Sequence, residues 1–413
     1  MPQTQEITAR STLATLGLRL SDWFERWFPD AFALALTAVA IVFVATLATG
    51  ATPAQSAQWF GSGFWDLVAF TMQMSMIIVT GYAVATSAPV YAVIRRMARV
   101  PQTGRGAAAY VGLFSMLASL VSWSFSLIFS GLLAREVAHR VKGSDYRAIG
   151  AAAYLGVGSV WALGLSSSAA LIMAAPASLP DAIEKISGVI PLSQTLLLWQ
   201  SLLIAALIIV VSMVVSYYSA PAPAQARGMK DMGVDYAPAA QFVGRAEKPG
   251  EWLEYSPLLT VVICVLGFGY LAREVATAGV GVLLDLNHYV FTFLMVGLLL
   301  HWRPRSFVNA IAGAITPVGG VLIQYPLYAG IVKMMTESGL ATKLAHFFVN
   351  VSTEHTFPVM IGIYSAFLGL FIPSTLSVRR RPLPRRPPRT SRGRSRTFQQ
   401  LLSRQRTRAS RVM

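Results

Sequence analysis

The chain has 413 residues, of which 54% are hydrophobic and only 13% charged. Soluble globular domains carry about a quarter charged residues, so this balance excludes an ordinary soluble protein. The formal net charge of +16 is local: from Arg379 onward there are thirteen arginines and no acidic residue, which leaves +3 for residues 1–378.

The N-terminal stretch MPQTQEITARSTLATLGLRLSDW is polar and mixed, with no cleavable signal peptide evident. It predicts a surface amphipathic helix anchored by Trp23, Phe24, Trp27 and Phe28 ahead of Pro29. Apolar spans follow at about 31–49, 64–86, 107–134, 147–163, 196–218, 256–272, 287–301, 307–332 and 347–373. So many spans predict an all-α, polytopic helical membrane protein. The one cysteine, Cys264, lies inside a span, so no intrachain disulfide is possible and a packed, inert thiol is expected.

Residues 63–90 carry Asp66, Gln73, Thr80 and Ser87 at a seven-residue step within an apolar run. On a helix these fall on nearly one face, and a polar stripe cannot face lipid cheaply. The expected surroundings are a bundle interior or watery cavity, as for a helix lining a permeation route. The 50–62 loop is uncharged and reads as external; Arg95, Arg96, Arg99 and Arg105 mark the next loop as cytoplasmic. Arg135, Arg140, Lys142 and Arg147 mark the following loop as cytoplasmic too. The 28-residue segment 107–134 between them is therefore either a pair of helices that goes in and comes back, or one long tilted helix. Ser115, Ser119, Ser122, Ser126 and Ser130 form a second stripe on it, suited to close helix packing. In the sharper reading, which is compatible with packing, Ser122, Trp123, Ser124 and Ser126 line a substrate path.

Gly164 and three serines, Ser166, Ser167 and Ser168, interrupt the run at 161–180, with Pro176 and Pro180 beyond. Such breaks build substrate sites in carriers, while a Ser-capped helix end at the interface is the plainer alternative. A Pro/Ala-rich polar linker, about 220–255 and expected in the cytoplasm, divides a first membrane half (1–219) from a second (256–374). Two inverted halves with broken or re-entrant helices are expected, though no residue-level repeat joins them in this reading. In the second half, Pro317, Gly319, Gly320, Gln324 and Pro326 interrupt one span, and Pro373 and Ser374 end another. Lys333 reads as a snorkelling span-end lysine. Glu337, His346, Glu354 and His355 read as a solvated loop rather than a proton relay. No spacing resembles a metal site, and no cofactor is expected.

The 63–90 stretch, LLAREVA (132–138), GSDY (143–146), GLSSS…AAP, GVIPL (188–192), GLLLH (297–301), QYPLYAGI (324–331) and TFPVM (356–360) together resemble the bacterial short-chain fatty acid transporter family, over about residues 15–374. That family is grouped with the ion-transporter superfamily of secondary carriers. The resemblance implies uptake of acetate, butyrate or acetoacetate across the bacterial cytoplasmic (inner) membrane, coupled to H⁺ or Na⁺. Oligomers are compatible with it. There are departures: SWSFS stands where the family reads like NWGFG, and WALGLSSS where it has a glycine-rich run. After Ser374 the family continues with glycines and about two more membrane segments, so the second half reads as incomplete here. The Arg/Pro-rich tail 375–413 is expected to be disordered. It is open to three readings: a frameshifted translation, a basic arm on anionic lipid, or a nucleic-acid arm poorly supported by Phe398 as its lone aromatic.

A short carboxylate needs a few hydrogen-bond donors rather than a dense cationic site. The candidates are Gln73, Thr80, Ser124, Ser166, Ser167, Ser168, Gln324 and Ser374. A carrier for another small organic anion, such as a dicarboxylate, is the alternative, but two charges call for a stronger cationic site than the sequence offers. An intramembrane serine hydrolase or acyltransferase, pairing Ser166–Ser168 with His346 or His355, is a distant rival without a G-x-S-x-G motif.

Overall fold

The computed structural model describes residues 12–174, 184, 187–236, 248–353 and 355–371. The helices are α1 Thr12–Trp27, α2 Ala31–Ala48, α3 Pro53–Gly63, α4 Val68–Thr86, α5 Ala88–Met97, α6 Gly104–Val121, α7 Trp123–Arg140, α8 Tyr146–Leu155, α9 Ser168–Ala174 and α10 Trp199–Ser219. They continue as α11 Leu258–Ala278, α12 Leu286–His301, α13 Pro304–Glu337, α14 Leu340–Val351 and α15 Phe357–Phe371. No strand occurs among the described residues, and seven helical segments there are long and apolar enough to cross a membrane. The protein is an all-α, multi-pass membrane protein. Local chemistry sets many of the helix starts. Asp30, Asp145 and Asp285 accept the first free N–H groups of α2, α8 and α12, and Thr52 with Gln55 forms a reciprocal capping box on α3.

The segment 107–134 goes in and comes back. It breaks at Ser122, whose backbone is extended (φ −150°, ψ 120°), and α6 and α7 then pack along their length. Ala107, Ala108 and Val111 share one buried cluster with Leu133, Ala134 and Val137. Both ends of this hairpin meet: a Cβ on Gly104 would lie 2.9 Å from the Gly143 carbonyl oxygen. The tip reaches the middle of α4, where the Ser124 hydroxyl donates to the Ile78 carbonyl at 3.1 Å. Next, α8 climbs beside α6. Gly156 permits this approach, because a Cβ there would meet the Ser115 carbonyl oxygen at 2.4 Å. A widened turn at Gly156–Val160 and a tight one at Trp161–Leu163 then open the helix, and α9 resumes beyond.

The most buried of the spanning segments is α4, packed against α7, α12 and α13, whereas α10 exposes Leu202, Leu203, Leu207, Val210, Val211 and Val214 on a lipid-type face. Asp66 and Ser87 of the seven-residue stripe fall just outside α4, as a turn residue and as its C-cap. Two expectations are corrected. Pro317 and Pro326 do not break the second half: both lie inside one 34-residue helix, α13. Packing of α2, α3 and α4 along it holds the chain helical through the two missing N–H donors. The apolar run 347–373 is not one span, because residues 352–356 separate α14 from α15. Lys333, near the C-terminal end of α13, pairs with Asp66 and Glu337, each at 3.7 Å. Pro176, Pro180, Glu354, Ser374 and the arginine-rich tail lie outside the described residues.

The hexapeptide Leu-Ala-Arg-Glu-Val-Ala occurs twice, at 133–138 on α7 and at 271–276 on α11. After each copy, an aspartate caps the next helix: Asp145 accepts the N–H groups of Arg147 and Ala148, and Asp285 those of Asn287 and His288. The copies sit at opposite ends of α4. Tyr91, just beyond the end of α4, donates to Glu136 at 2.5 Å, and His301 contacts the Ala83 carbonyl at 2.8 Å. Near the start of α4, Gln73 donates to Asn287, next to the second copy's aspartate. The two helix pairs α7–α8 and α11–α12 therefore run in inverted directions.

The close approach at Gly156 generates a stability prediction. Gly156→Ala forces two backbones apart and costs about 1–3 kcal/mol, the usual penalty of overpacking. Gly131→Ala, with open space at its Cβ position, leaves the melting temperature in detergent unchanged or raised.

Candidate functional site

A helix broken inside an apolar bundle frees backbone groups that lipid cannot satisfy. At Ser122 the second broken segment and α12 catch them. The Trp123 N–H donates to the Ser166 hydroxyl oxygen at 2.8 Å, and the Leu165 N–H donates to the Leu120 carbonyl at 2.8 Å. The Tyr289 hydroxyl donates to the Val121 carbonyl at 2.7 Å and lies within hydrogen-bonding reach of the Ser122 and Ser166 hydroxyls. Gly164 makes this crossing possible, since a Cβ would meet the Ser119 carbonyl oxygen at 2.4 Å. On the other side, Gly81 of α4 leaves room for Ser124, whose Oγ lies 2.7 Å from the position a Cβ would take. A second serine group locks the hairpin lower down: Ser126 donates to the Ser115 carbonyl, and Ser115 receives the Gly156 N–H while donating to the Ala153 carbonyl.

Of the residues singled out from sequence, Ser124, Ser166 and Ser167 are gathered at this crossing, all buried, with Thr80 one residue from Gly81. Ser167 accepts the Ala170 N–H at 3.5 Å, leaving its own O–H as a donor. Ser168 is the first, partly exposed residue of α9. Gln73 lies about two helical turns from Thr80 and pairs with Asn287 at 2.9 Å. Gln324 is buried on α13. The next residue, Tyr325, stacks on Phe70. Ser374 is outside the described residues.

A crevice of about 410 Å³ opens beside the crossing, lined by Leu171, Ala174, Pro191, Leu192, Leu284 and Asp285 among others. Its inner wall, with Leu171 and Leu192, belongs to the apolar cluster that contains Ile78, Trp123 and Tyr289. Among the described residues the buried charged side chains are Glu136 and Asp145, both at the far end of the hairpin. The crossing thus holds buried hydroxyls beside apolar walls, with no buried Lys or Arg among the described residues. Tyr289, Asn287, Gly81 and Gly164 went unnoticed in the sequence; the repeated hexapeptide with its following aspartate was the readable signal pointing to the 285–289 turn.

The chain matches the model of the short-chain fatty acid transporter family over residues 12–377. It is 36% identical over 357 residues to an Escherichia coli (strain K12) protein named "Putative short-chain fatty acid transporter", covering 86% of this chain and 80% of that one. It is 30% identical over 363 residues to a Haemophilus influenzae Rd protein of the same name, with the same two coverages. No solved structure matches the chain.

Removing the Ser166 hydroxyl leaves the buried Trp123 N–H without a partner, a loss of about 1–3 kcal/mol. Ser166→Ala is expected to lower the melting temperature in detergent, and Ser166→Thr, which keeps an acceptor oxygen, to restore most of it.

Proposed function

We propose that this chain, which belongs to the short-chain fatty acid transporter family, carries short-chain monocarboxylates such as acetate, butyrate or acetoacetate across the bacterial cytoplasmic membrane, coupled to an ion gradient. It is a multi-pass transporter and not an enzyme. The observation that carries the substrate reading is the crossing of two broken segments at the middle of α4, beside an apolar crevice. Hydroxyl donors there, Ser167 foremost, suit a single carboxylate. The walls of Leu171, Leu192 and Leu284 suit a chain of a few carbons. Gln73, Thr80, Ser124, Ser166, Ser168, Gln324 and Ser374 complete the proposed donor set.

The absence of a buried Lys or Arg among the described residues favours a monoanion over a dicarboxylate, whose second charge would go uncompensated. The serines also lack the features of a nucleophile: Ser166 is held by a backbone N–H rather than by an imidazole. The arginine-bearing turns near 95–105 and 135–147 lie at the hairpin end, and the crevice lies at the other. By the positive-inside rule the crevice then faces outward.

Proteoliposomes holding the purified full chain are expected to take up labelled butyrate faster than protein-free liposomes. Ser167→Ala and Gln73→Ala are expected to reduce uptake several-fold at unchanged protein content, as expected for lost substrate hydrogen bonds of about 1 kcal/mol each. Uptake equal to the protein-free control would count against the assignment.

A further inference from the structure

A carboxylate that enters a region without a fixed cation needs a counter-charge, since an uncompensated anion at membrane depth is costly. One titratable cluster lies beside the crevice. His288, in the first turn of α12, places Nδ1 3.0 Å from Asp285 Oδ2. Its Nε2 lies 3.1 Å from the Tyr270 hydroxyl and 3.9 Å from Glu274 Oε2, and its ring is stacked in parallel with that of Tyr270. The side chain is only 18% exposed. Asp285 itself lines the crevice, and the following residue, Tyr289, reaches the Ser122 break.

The groups facing His288 are therefore Asp285 on its own helix and Tyr270 and Glu274 on α11. The 280–284 turn carries no ionisable side chain, and α4 offers the Gln73 amide to Asn287. Arg273, beside Glu274 in the chain, is exposed and makes no ion pair among the described residues. This set accommodates both forms of the ring. A neutral imidazole donates from Nδ1 to Asp285 and accepts the Tyr270 O–H at Nε2; an imidazolium has two donors and two carboxylates to receive them.

The inverted copy shows what the same frame does without a titratable group. There Asp145 is paired with Arg147 at 2.6 Å, a cation that does not deprotonate. Burial opposes ionisation of Asp145, yet the hydrogen bonds from Arg147 and from the Arg227 and Ala148 N–H groups outweigh it and hold the carboxyl below its ordinary range. At the crevice end, the imidazole that replaces the guanidinium is the side chain whose charge ordinarily changes between about pH 5 and 8.

We propose that His288, bracketed by Asp285 and Glu274, is the proton-binding site of this carrier, and that the proton it takes up accompanies each monocarboxylate. One proton enters with one carboxylate, so the pair crosses without net charge, and both are released together. This rests on the transporter reading above and names the coupling ion and its site.

Two measurements separate the claims. Butyrate uptake into proteoliposomes is followed at external pH from about 5.5 to 7.5, the range over which an imidazole changes charge, with protein-free liposomes subtracted to remove passive entry of the neutral acid. Wild-type uptake is expected to rise at least several-fold on acidification, and H288Q uptake to be flat; a wild-type profile retained in H288Q overturns the proposal. Independently, histidine NMR of the full chain in micelles assigns the His288 signal by its loss in H288Q. Under the proposal that signal changes with pH, and its response differs in E274Q, whose carboxylate faces the ring at 3.9 Å in the wild type. A signal that does not move between about pH 5 and 8, the range of ordinary imidazole titration, overturns the proton site. If no wild-type uptake occurs at any pH, the transporter reading fails and the NMR titration alone decides whether His288 binds the proton. If H288Q does not fold, the signal is assigned by its response to E274Q and D285N, and an uptake profile identical to wild type in both overturns the coupling.

Discussion

The constraint on which the rest of this structure depends is the satisfaction of backbone hydrogen bonds at Ser122. A helix that stops in the middle of an apolar bundle exposes N–H and C=O groups with no water to meet them. Here Ser166, the Leu165 N–H and Tyr289 meet them. Those three groups come from two other segments, so the break fixes where the second broken helix and α12 must lie. The glycines follow from the same demand, because at Gly164 and Gly156, as at Gly81 and Gly104, another backbone approaches so closely that a methyl group would not fit. Close packing of small residues with serine hydroxyls between them takes the role that apolar burial plays in a soluble core.

The crossing formed in this way is polar in hydrogen-bonding capacity but carries no fixed charge. Its hydroxyls are the centre of the carboxylate site proposed above, and uncharged partners of this kind suit a ligand that must also be released. Apolar residues of α9, α12 and the 191–197 loop line the crevice beside it, and in the proposed site they would meet the short aliphatic chain.

The inverted hexapeptides give the molecule two ends with one plan and different chemistry. At one end Glu136 accepts the hydroxyls of Tyr91 and Tyr236, and Asp145 binds Arg147 and the Arg227 N–H, so the chain after α10 is fastened to the hairpin. Burial and the Glu136 hydrogen bond raise the Tyr236 phenol above its ordinary range, which keeps that fastening protonated. At the other end, Asp285 and Glu274 face a histidine. A permanent clamp and a titratable one, set at opposite ends of α4, provide the asymmetry that an inverted repeat alone would lack.

The sequence by itself determined the class of the protein, most of its spans, the turning back of 107–134 as one of two options, and the serines at 166–168 as an interruption. Those features are local: apolar length, arginines in short loops, and glycine or serine inside a run are read within one segment. It did not reveal that Ser166 is held by the Trp123 N–H, that Gln73 meets Asn287 from 214 residues away, or that α13 runs unbroken through Pro317 and Pro326. Each of these depends on what a distant segment places alongside, and a proline breaks a helix only where its neighbours do not hold the chain in line. The repeat lay open in the letters, twice Leu-Ala-Arg-Glu-Val-Ala. Its inversion did not, because direction in a membrane bundle is a relation between helices: Gln73 near the start of α4 meets Asn287 after the second copy, and Tyr91 just beyond its end meets Glu136 of the first.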